Sequence, residues 1–139
     1  MVKAVVSLGS NIGDRAAYLK KAVELLSGMP ETRLLKLSGI LETEPVDVPE
    51  EFEGMKFLNQ VAVFETNLSP YGFSDKMHSI EDDLGRVRVV RNGPRTIDID
   101  LIDFGGIVIN DPGLTLPHPR AKERDFVLIP LAELGIDLK

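Results

Sequence analysis

The feature that most constrains the fold is the alternation of apolar and acidic residues in I-D-I-D-L, residues 97–101. In a β-strand, successive side chains point to opposite faces of the sheet. The pattern predicts a strand with an apolar face and an acidic face, formed by Ile97, Ile99 and Leu101 on one side and Thr96, Asp98 and Asp100 on the other. The Cα atoms of the two acids are then about 6.5 Å apart.

The two neighbouring carboxylates favour a metal site. Like charges at this distance repel each other, and a bound divalent cation removes the repulsion. Mg²⁺ prefers oxygen ligands and is usually held by one or two carboxylates together with substrate phosphates. We therefore expect Asp98 and Asp100 to be ligands of Mg²⁺.

An arginine-rich segment precedes the acidic strand. Residues 86–95 hold four arginines, Arg86, Arg88, Arg91 and Arg95. Guanidinium groups bind phosphate oxygens through paired hydrogen bonds, and the Gly93-Pro94 turn aims Arg95 at the end of the strand where the acids lie. A solvated loop beside an exposed strand would carry the same charges, but the two patterns together, next to an apolar face, favour a phosphate site.

Composition limits the class of protein. The chain has 139 residues, 43% hydrophobic and 27% charged, which is typical of one globular domain spanning residues 1–139. Cysteine is absent, so no disulfide forms. The sequence has no recognisable signal peptide or membrane span, so we expect a cytoplasmic protein without a membrane partner. The net charge of −6 argues against a nucleic-acid partner.

Local patterns predict the elements of the first half. A strand at residues 3–8 leads through a Gly-Ser-Asn turn to a helix with Asp14 as its N-cap and a buried stripe of Leu19, Ala22, Val23 and Leu26. The turn lacks the glycine spacing of known phosphate-binding loops. A second strand is expected within residues 32–43. The acidic segment 44–56 is a candidate for a mobile functional loop, and a disordered segment without a function is the alternative.

The second half begins with a strand at residues 57–66. A helix follows, with Ser69 as N-cap, Pro70 in its first turn and one apolar stripe of Phe73, Met77, Ile80 and Leu84. Gly105-Gly106, between two apolar runs, predicts a hairpin after the acidic strand. Residues 126–134 are expected to form a helix that packs on the core.

The predicted order of elements is βαββαβ, which is the order of the ferredoxin-like unit. We therefore expect an α+β sandwich with a mainly antiparallel sheet, helices mostly on one face, an added hairpin and a C-terminal helix.

Six motifs carry a resemblance to a known family: G-S-N at 9–11, F-L-N at 57–59, G-R-V-R at 85–88, G-P-R-T-I-D-I-D-L at 93–101, L-P-H-P-R at 116–120 and R-D-F at 124–126. Together and in this order they resemble 6-hydroxymethyl-7,8-dihydropterin pyrophosphokinases of folate biosynthesis. The resemblance implies a single pyrophosphokinase domain and an ATP-dependent diphosphotransferase. The β,γ-diphosphoryl group of ATP would move as one unit to the pterin's hydroxymethyl oxygen, releasing AMP.

The resemblance also implies roles for individual residues. The metal ligands would be Asp98 and Asp100, which would hold two Mg²⁺ ions. The catalytic arginines would be Arg86 and Arg88, from a mobile loop, and Arg95, a fixed phosphate contact. The ATP-binding positions would be these three arginines with His78, Glu81, Leu101, Thr115, His118 and Arg124. The pterin-binding positions would be Thr43, Pro45, Val46, Phe57, Asn59, Asn92 and Phe126, with the two aromatic rings stacking on the pterin.

The sequence departs from the family pattern in a few places. Asn92 stands where some members have a tryptophan that closes over the pterin, and the arginine loop is one residue shorter. Phe57 replaces a tyrosine, which keeps the ring and removes a hydroxyl. Gly113 stands where an arginine can occur. These changes concern how the site closes and leave the reaction class unchanged.

Two other functions are open on the residues alone. A domain of this class can be a non-catalytic sensor that binds ATP and pterin without turnover, and the arginine cluster could bind RNA, with an affinity that falls as salt rises. A sensor has little use for paired carboxylates beside arginines, and the aromatic residues do not lie in a basic stripe of the kind that RNA-recognition sheets use. The group that removes the hydroxyl proton and the oligomeric state are not specified by the sequence.

Overall fold

The computed structural model describes residues 1–44, 50, 56–85 and 96–136. The elements in chain order are β1 (Val2–Ser10), α1 (Arg15–Ser27), β2 (Thr32–Leu37), β3 (Leu41–Thr43), β4 (Phe57–Thr66), α2 (Pro70–Asp83), β5 (Asp98–Phe104), β6 (Ile109–Asp111), β7 (Leu114–Leu116), a 3-10 turn (Ala121–Glu123) and α3 (Asp125–Glu133). None of the helices in these ranges is long and apolar enough to cross a membrane. The predicted loop at 44–56 lies largely outside the described residues, so its prediction stays open.

The main sheet has the strand order β2-β4-β1-β5, and β3 pairs with the same edge of β4 as β2 does. All of these pairs are antiparallel. With α1 after β1 and α2 after β4, this is the ferredoxin-like arrangement, so the predicted α+β fold is confirmed.

The sheet has an apolar core on each face. The face covered by α1 and α2, called the helix face here, holds the larger core, in which Leu19, Phe64, Phe73 and Phe104 are fully buried. The opposite face, called the α3 face, is covered by α3 and holds a smaller core formed by Val5, Val61, Val63, Ile102, Ala121, Val127 and Leu131.

The helix starts follow the local signals in the sequence. Asp14 Oδ1 accepts a hydrogen bond from the Ala17 N–H at 3.1 Å, which is the expected N-cap of α1. Ser69 Oγ accepts from the Gly72 N–H at 3.0 Å, and Pro70 is the first residue of α2. All four residues predicted for the buried stripe of α1 are buried.

Strand β1 is longer than predicted. The sequence suggested a turn at the Gly-Ser-Asn motif, but Gly9 and Ser10 continue the strand and pair with Asn59 and Leu58 of β4. Gly9 also pairs with Asp98 of β5. The ladder on both sides supplies the hydrogen bonds that hold the glycine extended, which local sequence does not reveal.

The strand predicted within residues 32–43 is instead two strands, separated at Ser38. This buried serine makes two hydrogen bonds with Val61 of β4: its N–H donates to Val61 O, and its Oγ accepts from the Val61 N–H, both at 2.9 Å. The side chain of Gln60 donates to Ser38 O at 2.7 Å. A side chain therefore replaces one rung of the ladder, and β3 starts in a new register.

A bulge in β5 sets which face each residue occupies. Val5 pairs with Asp103 and Val6 with Leu101, so Ile102 is an extra residue. Ile102 lies in the core of the α3 face, and Phe104 returns to the helix face. The bulge allows one strand to contribute large apolar residues to both cores.

The predicted hairpin across Gly105-Gly106 is wrong, because the strand that follows the two glycines does not pair with β5. The two glycines have φ of +60° and +76° and form a turn, but β6 pairs with β7 and not with β5. Two backbone groups on the outer edge of β5 are already occupied, because the Ile99 N–H donates to Glu81 Oε2 and Ile102 O accepts from the His118 N–H, each at 2.8 Å. The added hairpin therefore forms one turn later, at 112–113.

We expect Ser38→Ala to lower the free energy of unfolding by about 1–3 kcal/mol, because it leaves the buried Val61 N–H without an acceptor. Urea denaturation measures this difference. Ser79→Ala is the matched control, since the Ser79 hydroxyl is exposed and donates only to Asp75 O of its own helix. Equal stability of the two variants would contradict the structural role of Ser38.

Candidate active site

A row of three residues crosses the α3 face at the end left open by the core. Gly9 of β1 is paired with Asn59 of β4 on one side and with Asp98 of β5 on the other. Paired residues in a sheet point to the same face. The row therefore places an amide, a glycine without a side chain and a carboxylate side by side.

The two acids lie on the face that the sequence predicts. Ile97, Ile99 and Leu101 are at most 4% exposed and belong to the core of the helix face. Asp98 and Asp100 alternate with them, so their half-buried side chains lie on the α3 face. The prediction that both carboxylates lie on the same face of the sheet is confirmed.

Two positively polarised groups lie near Asp100. Nε2 of His118 is 4.0 Å from Asp100 Oδ1, and Nη1 of Arg124 is 3.8 Å from Asp100 Oδ2. Both distances are longer than a direct hydrogen bond. His118 is held in place by its backbone N–H, which donates to Ile102 O, and Arg124 is the N-cap residue of α3.

His118 is a neutral hydrogen-bond donor at this position. Burial lowers its pKa, the charges of Arg124 and Arg120 lower it further, and Asp98 opposes them. Its Nδ1 accepts from the Arg120 N–H at 3.2 Å, so the ring proton resides on Nε2, the atom that faces Asp100. This tautomer is assigned from the hydrogen bonds.

Other residues predicted on the ATP side lie along the outer edge of β5. Glu81 of α2 is buried, and its carboxylate accepts from the Ile99 N–H at 2.8 Å and lies 2.9 Å from Nδ1 of the exposed His78. Leu101 points its side chain into the helix-face core, so only its backbone is available to a ligand. Thr115 is exposed in the middle of β7.

Asn59 is fixed by the short strand β3. Its Nδ2 donates to Leu41 O at 3.1 Å and to Thr43 Oγ1 at 2.7 Å. A backbone carbonyl only accepts, so the orientation of the amide is set by its partners. Oδ1 lies above Gly9, 3.4 Å from the point that a Cβ on this glycine would occupy. The sequence identified Asn59 and Thr43 but not this orientation.

The two predicted aromatic residues lie on the same side of the sheet. The Phe57 ring lies over Gly9, with Cδ1 3.4 Å from where a Cβ would be. Phe126 is in the first turn of α3 and packs against the smaller core, with the Arg124 guanidinium 5.5 Å from its ring centroid. This distance is within the range of a cation–π interaction, which orients both side chains.

The donors present fit magnesium. Asp98 and Asp100 offer hard carboxylate oxygens, and the described residues contain no group of three or more histidine, cysteine or acidic side chains that would form a complete metal cage. Mg²⁺ usually takes one or two carboxylates and completes its shell with water and substrate phosphates. Asp98 and Asp100 are therefore a suitable pair of protein ligands for Mg²⁺.

Six predicted site residues lie outside the described ranges: Pro45, Val46, Arg86, Arg88, Asn92 and Arg95. Within the described ranges the predicted residues form two groups, one on each side of Gly9. The first group consists of Asp98, Asp100, His118 and Arg124, and the second consists of Thr43, Phe57 and Asn59.

Sequence reasoning did not identify two residues of this region. Gly9 belongs to the G-S-N motif, but its position between the two groups is revealed only by its pairing on both sides. Arg15 donates from Nη1 to Glu42 Oε2 at 3.0 Å and to Lys56 O at 2.8 Å, which joins β3 to the residue before Phe57. An arginine at a helix start gives no local signal of such contacts.

Known proteins are similar to this chain in both sequence and fold. A curated 2-amino-4-hydroxy-6-hydroxymethyldihydropteridine pyrophosphokinase of Methylorubrum extorquens is 45% identical over 139 residues, covering 99% of this chain and 85% of the relative. Its counterpart in Bacillus subtilis is 44% identical over 131 residues, covering 94% of this chain and 77% of the relative.

A crystal structure of Plasmodium falciparum HPPK-DHPS has the same fold, with a TM-score of 0.69 at 16% identity. The alignment covers 96% of this chain and 40% of that longer one. The family model for 7,8-dihydro-6-hydroxymethylpterin-pyrophosphokinase (HPPK) matches residues 5–136. With nearly the whole sequence matched by this model and relatives of such high identity, the chain belongs to the 7,8-dihydro-6-hydroxymethylpterin-pyrophosphokinase family.

Proposed function

We propose that this protein transfers the β,γ-diphosphoryl group of ATP to the hydroxymethyl oxygen of 6-hydroxymethyl-7,8-dihydropterin in folate biosynthesis. The observation that carries the proposal is the row Asn59, Gly9 and Asp98, which sets a hydrogen-bonding amide and a carboxylate on either side of a glycine that the Phe57 ring covers. A flat heterocycle with a reactive substituent at one end suits this arrangement. Membership of the family supports the same reaction.

The pterin would lie over the Phe57 ring, which itself covers Gly9. Asn59 donates both of its amide hydrogens within the protein. Its Oδ1 would therefore accept a hydrogen bond from the pterin. Phe57 and Phe126 supply aromatic surface on the same face, and aromatic rings stack well on flat heterocycles. Thr43, Pro45, Val46 and Asn92 complete the proposed pterin contacts.

The triphosphate would lie at Asp100. Arg124 offers a guanidinium, and His118 offers an Nε2–H that remains a neutral donor because its pKa is lowered. Arg86, Arg88 and Arg95 are the further phosphate contacts we propose, and arginines that complete a phosphoryl-transfer site supply about 10³–10⁵ in rate. The arginines would offset the negative charge of the phosphates, and His118 would add a neutral hydrogen bond.

The adenosine end would lie along the outer edge of β5. The Ile99 N–H points away from β1, since Glu81 accepts it. Peptide groups alternate in direction along a strand, so Leu101 directs its N–H and C=O to the same outer edge. His78, Glu81 and Thr115 border this edge and are the remaining nucleotide contacts that we propose.

Asp98 and Asp100 would hold magnesium, and two ions are expected in the proposed site. When bound, Mg²⁺ neutralises phosphate charge and polarises the phosphoryl oxygens. In the reaction the hydroxymethyl oxygen forms a bond to the β-phosphorus, the bond from this phosphorus to the bridging oxygen of the α-phosphate breaks, and AMP leaves. The hydroxyl proton is released to solvent or buffer. Exclusion of water protects the diphosphoryl group from hydrolysis.

The direct test is product analysis. We expect AMP to form from ATP only when 6-hydroxymethyl-7,8-dihydropterin and Mg²⁺ are both present, and chromatography of the nucleotides measures it. Formation of ADP would indicate a kinase that moves one phosphoryl group. Tight pterin binding without nucleotide turnover would indicate a sensor and overturn the proposal.

Asp98→Asn and Asp100→Asn should each lower kcat by about 10²-fold or more, because an amide binds Mg²⁺ far more weakly than a carboxylate does. Steady-state assays with saturating substrates measure the loss. Asp103→Asn is the matched control on the same strand and should stay within about twofold of the wild-type rate. Wild-type turnover in either site variant would refute the metal assignment.

Asn59→Asp should weaken pterin binding by about tenfold or more, because a carboxylate oxygen would replace Nδ2 opposite Leu41 O and disturb the amide. Calorimetric titration with the pterin measures the affinity. The exposed Asn67→Asp variant adds the same charge away from the site and should bind normally. Unchanged affinity in Asn59→Asp would contradict the proposed pterin contact.

A further inference from the structure

Arg15 joins three parts of the chain that are distant in sequence. It is the first residue of α1, and its Nη1 donates to Glu42 Oε2 at 3.0 Å and to Lys56 O at 2.8 Å. Glu42 lies in β3, and Lys56 directly precedes β4. One guanidinium nitrogen therefore ties the start of a helix to two neighbouring strands.

The position of this arginine is unfavourable for the helix itself. The N-terminus of a helix carries a partial positive charge, which suits the N-cap Asp14 and opposes a cation at the next residue. The side chains of Arg15 and Glu42 are 32% and 47% exposed, and ion pairs with such exposure add little stability. The contacts of Arg15 are therefore explained by what they hold in place and not by the stability they add.

The two contacts of the guanidinium adjoin the proposed pterin site. Glu42 precedes Thr43, Lys56 precedes Phe57, and the second residue of each pair lies opposite the other across β3 and β4. Thr43 Oγ1 in turn accepts from Asn59 Nδ2 at 2.7 Å. Movement of the end of β3 would therefore remove an acceptor that fixes the amide.

Strand β3 has only three residues and is held at both ends. Just before it, the Gly39 N–H donates to the two carboxylate oxygens of Glu133, each at 3.1 Å. Its far end is held by Arg15, and Lys56 Nζ lies 3.4 Å from Glu44 Oε1 at the same end. The arginine thus secures the end of the strand that α3 does not reach through Glu133.

The guanidinium contacts Glu42 on the face opposite to the proposed pterin. Glu42 pairs with Leu58, which packs against the helix-face core, so its side chain lies on the helix face. Phe57 and Asn59 lie on the α3 face, beside Gly9. Arg15 therefore influences a bound pterin only through β3 and the start of β4.

We propose that Arg15 is a positioning residue for pterin binding. It holds the end of β3 against β4, so that Thr43 keeps the Asn59 amide oriented with Oδ1 free for the pterin. The proposal rests on the proposed function. It requires an effect on the pterin and none on the nucleotide, because the proposed metal ligands lie on β5, two strands away from β4.

The experiment compares Arg15→Gln, which removes the charge, with Arg15→Lys, which keeps it. Pterin affinity is measured by calorimetry with the protein saturated with α,β-methylene-ATP and Mg²⁺, and the affinity for this analogue is measured separately. We expect Arg15→Gln to bind the pterin about fivefold or more weakly and the analogue within about twofold of wild type. Arg15→Lys should lose less than half as much pterin affinity as Arg15→Gln.

A second measurement follows the Asn59 amide in the ligand-free protein. Its two side-chain protons, identified by their loss in Asn59→Asp, are donated to Leu41 O and Thr43 Oγ1. We expect NMR to show exchange of these protons with solvent that is about threefold or more faster in Arg15→Gln than in wild type. A role of Arg15 in stability alone would lower the Tm without this local change.

Arg33→Gln is the matched control. Arg33 Nη2 lies 3.0 Å from Glu65 Oε1, so this variant removes another arginine–glutamate pair from β4, at the end far from Asn59. Both affinities and the amide exchange should stay within about twofold of wild type. Should Arg15→Gln fail to fold, Glu42→Ala removes the partner on β3 and should weaken pterin binding by about twofold or more.

Three results would overturn the proposal: normal pterin affinity in Arg15→Gln, an equal loss of affinity for the ATP analogue, or unchanged exchange of the Asn59 amide. Wild-type protein is assayed for AMP in parallel. If wild type forms AMP and Arg15→Gln binds the pterin normally, only the role of Arg15 fails. If wild type forms no AMP, the proposed function fails, and the amide exchange still tests whether Arg15 holds Asn59.

Discussion

The burial of Ile97, Ile99 and Leu101 against α1 and α2 is the constraint on which the site depends. A shift of one residue in the register of β5 would exchange its faces and place Asp98 and Asp100 in the apolar core. An ionised carboxylate buried without a partner costs several kcal/mol, so the shifted register is excluded. The same apolar contacts that stabilise the sheet therefore hold the carboxylates on the opposite face.

Helix α3 links the two halves of the candidate site. Val127 and Leu131 anchor it to the smaller core, and its first turn carries Phe126 beside Arg124. At its other end, Glu133 accepts the Gly39 N–H at 3.1 Å, next to the start of β3. One rigid element thus places a cation near Asp100 and supports the strand that orients Asn59.

Features encoded in neighbouring residues could be predicted from the sequence, and features that depend on distant partners could not. The caps at Asp14 and Ser69 and the alternation of β5 are local. The break at Ser38 depends on Val61, 23 residues away, and the hairpin partner of β6 depends on an edge occupied by Glu81 and His118. The face of the sheet on which Asp98 and Asp100 lie was therefore predictable, whereas the orientation of the Asn59 amide required knowledge of its contacts with β3.

The spacing of strands explains why the two halves of the site suit one substrate. Neighbouring strands are about 4.8 Å apart, so Asn59 and Asp98, two strands from each other, are separated by about 10 Å at the backbone. The strand between them contributes Gly9, which has no side chain to fill the gap. A side chain there would lie against Phe57 and Asn59 Oδ1. The glycine therefore lets the Phe57 ring and the Asn59 amide lie close over the middle of the sheet, beside the strand that carries the two carboxylates.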